Sequence, residues 1–166
     1  MNKEFYDTWL PYVLTIVRRY GVAEADQKDV IQDIFIRYHE KRTRYDRARG
    51  EFRAWFRTLA INEVLQHLRR RHRYVTSDLA ALSDANLAVV NRMQDLDAEY
   101  LIEMIAELPV GFRTVFNLHV IEGYSHEEIA AKLGISPVSS RSQLSRAKSR
   151  LRQRLTFLKQ FAHAIF

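Results

Sequence analysis

Cysteine is absent from this 166-residue chain, which excludes disulfides and thiolate metal sites and fits a reducing compartment. Proline and glycine are scarce, three and five residues, and alternating strand-like segments are missing, so turn-rich β architectures are excluded. No apolar run approaches the roughly 20 residues that span a bilayer. The apolar stretch Trp9–Val17 follows Glu4 and Asp7 and is interrupted by Pro11, which speaks against a signal peptide. An acidic surplus is also lacking. Lys and Arg number 26 against 20 Asp and Glu, a net charge of +6, and that balance favours a polyanion such as nucleic acid or an acidic membrane surface. What is present is 47% hydrophobic and 28% charged, the composition of a folded globular protein. Long 3.6-residue periodicities dominate, and the predicted fold class is all-α.

The most informative segment runs from Ser125 to Arg154. Ser125 and Glu128 form an S-x-x-E capping box that starts a helix. Ile129, Ala130 and Leu133 give that helix an apolar stripe, and Gly134 ends it in a left-handed conformation. Ser136 caps a second helix with Pro137 at its first position, where a missing N–H is harmless. Two short helices around a Gly-containing turn make a helix-turn-helix, which lays its second helix in the major groove. Unrolled at about 100° per residue, that helix turns Leu144, Ala147, Leu151, Leu155 and Leu158 inward. Ser139, Ser142, Gln143, Arg146, Ser149 and Gln153 face outward, flanked by Arg141, Lys148 and Arg152. Short hydroxyls allow close approach, Gln and Arg pair with base edges, and the flanking cations suit phosphates. A solvated basic helix in an ordinary bundle is the plainer alternative.

Two small helical domains joined by a flexible linker are expected: residues 1–73, a linker over 74–94, and 95–166 containing the helix-turn-helix. In the first half, helices are predicted over Lys3–Tyr20, ended by Gly21, over Asp26–Lys41, and over Glu51–Arg73, with a basic loop from Lys41 to Gly50. The linker is rich in Ser, Asp, Ala and Asn, with a helical turn expected around Leu79–Leu82. Helices near Asp95–Glu107, Pro109–Glu122, Ser125–Leu133 and Pro137–Leu158 complete the second half.

In the third helix Trp55, Leu59, Asn62, Gln66 and Arg69 form a continuous stripe, aromatic at first, then amide-bearing, then basic. Rings beside cations suit single-stranded nucleic acid, because unstacked bases stack on them while Arg holds phosphates. Phe52 and Trp55 equally fit a packed core. The second helix instead carries Asp26, Asp29 and Asp33 with Gln32 and Phe35. With no His and no phosphate loop nearby, this acidic patch fits protein docking or plain solvation rather than metal or acid–base chemistry. The six histidines show no metal-ligand spacing and are expected to be ordinary surface or satisfied residues.

In this order and spacing the motifs resemble the extracytoplasmic-function sigma factors of bacterial RNA polymerase, across nearly the whole chain. Asp29–Phe35 is similar to that family's DvvQevF stretch, which binds the polymerase core, and Phe52–Asn62 to its faWLyriArN segment, which melts and reads the −10 element. Leu108-Pro109 through Glu122-Gly123 resembles the start of the second DNA-binding domain, and Ser125–Ala147 the helix-turn-helix for the −35 element. The chain departs at Gln66, where the family often has an acid, and at Val138–Gln143, where it commonly has Gly-Thr-Val-Lys-Ser-Arg. Ser140 there replaces an inward apolar residue, so looser packing is expected, and Gln143 replaces an Arg, so a borrowed promoter consensus does not transfer.

The resemblance implies core-polymerase contacts from Asp29, Gln32, Asp33 and Phe35. It implies −10 DNA contacts from Arg44, Arg47, Phe52, Trp55, Asn62, Arg69 and Arg70, and −35 contacts from Ser139, Arg141, Ser142, Gln143 and Arg146. The implied partners are bacterial RNA polymerase core, promoter DNA and an anti-sigma factor, in the cytoplasm, without membrane insertion. No cofactor, metal, small-molecule substrate or enzymatic activity is expected. A stand-alone helix-turn-helix regulator, or a helical interaction protein with basic faces, is the competing class.

Overall fold

The computed structural model describes residues 3–75 and 98–165, with side chains over 3–71 and 98–156. Among the described residues there are helices and turns and no strand, and the chain divides into two compact units. The amino-terminal unit contains α1 (Lys3–Arg19), α2 (Glu24–Lys41) and α3 (Phe52–Val75). The carboxy-terminal unit contains α4 (Ala98–Ala106), α5 (Val110–Phe116), α6 (His126–Leu133) and α7 (Pro137–Ile165).

In the first unit α1 runs unbroken through Pro11. Pro11 costs one backbone hydrogen bond, but Val13, Ile16 and Val17 beyond it are buried and hold both halves in line. Gly21, at φ +64°, makes the left-handed turn that ends the helix. α2 begins at Glu24, two residues before the expected Asp26, with Glu24 and Asp26 complementing the dipole of a first turn that has no side-chain cap. Val30, Ile31, Ile34 and Phe35 of α2 meet Phe56, Ile61, Val64 and Leu65 of α3 in the core.

An aromatic cluster fastens this core to the basic loop. Phe56 is fully buried, with Phe5, Trp9, Phe52 and Tyr38 at centroid distances of 5.8, 5.2, 5.8 and 5.5 Å. Such pairs contribute about 0.5–1.5 kcal/mol each beyond area burial. The loop is ordered into two single 3₁₀ turns, Arg42–Arg44 and Arg47–Arg49. Asp46 caps the second by accepting from Ala48 N at 2.9 Å, and Tyr45 lies 5.4 Å from Phe52 while its hydroxyl donates to Gly50 O. The expected linker lies outside the described residues, apart from Tyr74 and Val75, which continue α3.

In the second unit α7 packs mainly on α5 and α6. The capping box is present in both directions: Glu128 N donates to Ser125 Oγ, and Ser125 N donates to Glu128 Oε2 at 2.8 Å. The Ser125 N–H, and the Ser125 hydroxyl that also donates to Oε2 at 2.9 Å, hold the Glu128 carboxyl below its ordinary pKa. Gly134 adopts φ 69°, its N–H donating to Ala130 O, and Ser136 Oγ accepts from Ser139 N at 3.0 Å. Asn117–Ile121 extends α5 as a π-helical turn, and the buried Asn117 amide donates to Arg113 O. Arg113 is buried too, and its guanidinium donates to the α4-terminal carbonyls of Ala106 and Leu108. Burial lowers its pKa to about 10, which leaves it charged at neutral pH.

Ser140 corrects one expectation. It is fully buried, yet its hydroxyl shares a 2.8 Å hydrogen bond with His126 Nδ1, so the site is satisfied rather than loose. His126 in turn stacks on His119, with ring centroids 4.4 Å apart, and His119 Nδ1 donates to Tyr124 O at 2.9 Å. The histidines therefore include one built pair, formed across the turn between two helical elements.

Two outcomes follow for stability. Gly134→Ala forces an L side chain into the left-handed region and lowers unfolding free energy by about 1–2 kcal/mol, checked by denaturant titration. Desolvation, then the positive charges of His119, Arg141 and Lys148, lower the His126 pKa from 6.5, with Glu127 opposing. The unfolded chain then binds the proton more readily than the folded one, so stability present above pH 6.5 is lost as pH falls through and below it. Thermal melts across pH 7.5 to 5 (about 25 °C reference state) show a steeper loss for the native chain than for His126→Gln.

Candidate nucleic-acid interface

On α7 the inward ridge is Ser140, Leu144 and Ala147, at 0, 7 and 0% exposure. Small groups at two of these three positions bring α7 close to α5 and α6, and what remains outside is a polar face. Arg141, Ser142 and Arg146 are exposed together there, with Lys148, Ser149, Arg152 and Gln153 further along. Arg141 leans toward Glu127 of α6, at 3.4 Å. Ser139 is half-buried and accepts from Gln143 Nε2 at 3.2 Å.

Gln143 departs from its expected place. It is half-buried against α5: a Cβ added at Gly111 would meet its Oε1 at 2.8 Å, and that oxygen is buried without a hydrogen-bond partner. The absent side chain at Gly111 makes the room. Gln143 is thus drawn away from the exposed set formed by Arg141, Ser142 and Arg146. Leu151 and Leu155 are half-buried, and Leu158 lies outside the described side chains.

The amino-terminal unit offers a second polar surface. Arg44 and Arg47 stand exposed on the 3₁₀ turns. Phe52 and Trp55 are half-buried: they belong to the aromatic cluster on one side and reach solvent on the other, so the core and surface alternatives both hold in part. Leu59 is buried, which breaks the expected stripe, while Asn62, Gln66, Arg69 and Arg70 remain exposed beyond it.

The α2 face carries Asp29, Gln32 and Asp33, all exposed. Phe35 does not project with them. It is a core residue at 1% exposure, packed on Tyr6 at 4.6 Å and on Phe56, because α1 and α3 close over that side of the helix. Its neighbour Ile36, 49% exposed, stands on the surface where the family resemblance puts Phe35. Ile36, Tyr6, Lys28, Gln32, His39 and Glu40 surround a groove of about 580 Å³, to which Phe35 contributes a wall.

Folding joins the acidic and basic sets. Asp33 pairs with Arg70 at 3.6 Å, Asp26 pairs with Arg71 and faces His67 at 3.4 Å, and the buried Glu63 accepts from Arg37 Nε at 2.9 Å. The Glu63 hydrogen bond and charge raise the Arg37 pKa further above its ordinary value. Among the described residues no group of three or more His, Asp or Glu gathers as a metal site, and no helix is long and apolar enough to cross a membrane.

Comparison with known proteins identifies the family of the chain. Residues 5–74 match the model of Sigma-70 region 2, and residues 98–151 match that of Sigma-70, region 4. The chain is 30% identical over 145 residues to the RNA polymerase sigma factor CnrH of Cupriavidus metallidurans, a match covering 81% of this chain and 75% of that protein. It is 30% identical over 149 residues to the ECF RNA polymerase sigma factor SigE of Mycolicibacterium smegmatis, covering 86% of this chain but 57% of SigE. The same fold occurs in the sigma factor RpoE of Bartonella quintana, solved in complex with the anti-sigma factor NepR, with a TM-score of 0.54 at 23% identity over 93% of this chain and 98% of that one. The two matched regions, in order along one chain, and the identity to CnrH make this protein a member of the extracytoplasmic-function branch of the sigma-70 family.

Proposed function

We propose that this chain directs bacterial RNA polymerase core to a set of promoters, capturing the −10 strand with residues 1–73 and reading the −35 duplex with residues 95–166. The observation that carries this is the exposed face of α7, where Arg141, Ser142 and Arg146 stand together behind a doubly capped turn. Arg146 fits base-edge contact, because a guanidinium pairs bidentately with guanine. Arg141 fits phosphate.

At −10, Arg44, Arg47, Arg69 and Arg70 hold backbone while Phe52 and Trp55 supply the ring face and Asn62 an amide for an extruded base. Extrusion costs a few kcal/mol, so a strand with a matching base is favoured over one without. Asp29, Gln32 and Asp33, with Ile36 and its groove, dock polymerase. The work is binding rather than catalysis, in the cytoplasm. An anti-sigma factor that covers these surfaces fits the same reading, since RpoE of Bartonella quintana is held by one.

Run-off transcription with core polymerase on a genomic library tests the reading directly: defined start sites that depend on the chain are expected. Duplex binding without any effect on start-site choice would indicate a stand-alone regulator instead. Asp33→Arg loses co-purification with core polymerase while its melting free energy stays within about 1 kcal/mol, since the Arg70 pair it breaks is exposed. Arg146→Ala lowers promoter-specific transcription about tenfold to a hundredfold, the worth of one bidentate base contact. Core association, followed by the same co-purification, is unchanged.

A further inference from the structure

Val138 has no packing reason to be where it is. It sits in the first turn of α7 and is 68% exposed, above Ile36 at 49%, Val120 at 47% and Leu101 at 41%. A β-branched residue is not a favoured choice for an exposed helix position, and scattered surface apolar residues are common enough to need no cause by themselves. Its position supplies one.

At about 100° per residue, Val138, Ser142, Ser145 and Ser149 fall within about 60° of one another, roughly opposite the buried ridge of Ser140, Leu144 and Ala147. All four are exposed. They form the crest of the outward face, between Arg141 on one flank and Arg146 on the other. Three members have the shortest hydroxyl side chain, which lets the helix axis come near base edges. Val138 is the single apolar member and lies at the amino-terminal end, the part of a recognition helix that reaches base edges. Ser136 fixes that turn by accepting from Ser139 N at 3.0 Å, and the turn carries no carboxylate to repel phosphates.

The major groove presents one apolar feature on its base edges, the 5-methyl group of thymine. A valine pressed against a cytosine amine or a guanine carbonyl would instead strip water from a polar group and return no hydrogen bond. We infer that Val138 is a specificity-determining residue that selects a thymine in the duplex read by α7 through contact with its methyl group. Val is stiff about χ1, so little freedom is lost on contact. This role presupposes that α7 reads duplex DNA, as proposed for the carboxy-terminal unit.

The test uses holoenzyme assembled from the full chain and core polymerase. Duplexes are selected from a randomised library, and each thymine in the α7 half of the selected site is replaced singly by deoxyuridine, which removes the methyl and leaves base pairing intact. One such replacement is expected to weaken binding about threefold to fivefold in the native chain, the worth of one buried methyl. The same replacement is silent in Val138→Ala, whose fold is secured by the exposure of the site. Selected sites without thymine, or deoxyuridine effects equal in the two proteins, overturn the contact. Arg146→Ala separates the two levels. If it weakens binding while every deoxyuridine is silent, α7 reads duplex without Val138; if it has no effect, the duplex-reading role itself fails and the contact with it.

Discussion

The close seating of α7 on α5 and α6 is the constraint on which the carboxy-terminal unit depends. A helix with one polar face open to solvent has only a narrow stripe left for packing, and here that stripe is Ser140, Leu144 and Ala147. Two of the three are small, so the gain from apolar burial is modest and the helix axes must approach to recover dispersion. That approach buries the Ser140 hydroxyl, which would cost about 1–3 kcal/mol if unpaired. His126 supplies the partner, and stacking on His119 fixes the ring that does so. The same proximity draws Gln143 against Gly111. Packing thus decides which polar side chains of α7 remain exposed.

In the amino-terminal unit the comparable constraint is electrostatic. α2 and α3 pack through apolar faces, and their charged edges meet. Glu63 is buried and therefore needs Arg37, since an isolated carboxylate in the core would be far costlier than the pair. Asp33 with Arg70 is different in kind. Both are about half exposed, and such a pair contributes no more than about 1 kcal/mol. It exchanges partners cheaply, so a protein surface that engages Asp33 and a phosphate that engages Arg70 do not oppose one another. An acidic face on α2 can adjoin a basic face on α3 because the neutralisation between them is weak.

Local chemistry was legible in the sequence, and tertiary choice was not. The capping box, the Gly134 turn and the Ser136 cap involve residues three or four apart, and each stands where the spacing put it. The periodicity of α2 groups Phe35 with Val30, Ile31 and Ile34 and turns Ile36 to the opposite side, and rings from α1 and α3 cover Phe35 accordingly. A surface role for Phe35 comes from the family resemblance and not from that period. Gln143 stands at the edge of the outward face, about 40° from Ala147, and the space at Gly111, 32 positions earlier, lets it turn inward. His119 and His126 lie on different elements, so spacing rules for a single helix passed over them. Val138 is an apolar residue on a polar face, and so matches neither a core stripe nor a cation pattern.

Net charge alone misstates how this chain meets a polyanion. Of its surplus of six positive charges, none is assigned to a place until the ion pairs are drawn. Arg37, Arg71 and Arg154 are committed to Glu63, Asp26 and Glu107, and Arg113 is buried beneath α4. Exposed cations concentrate instead on the 3₁₀ turns, at Arg44 and Arg47, and along α7, at Arg146, Lys148 and Arg152. Each phosphate neutralised adds close to one unit to the salt dependence of binding, without regard to sequence. On the proposed reading, discrimination comes from the side chains of α7 that the ridge of Ser140, Leu144 and Ala147 leaves outside.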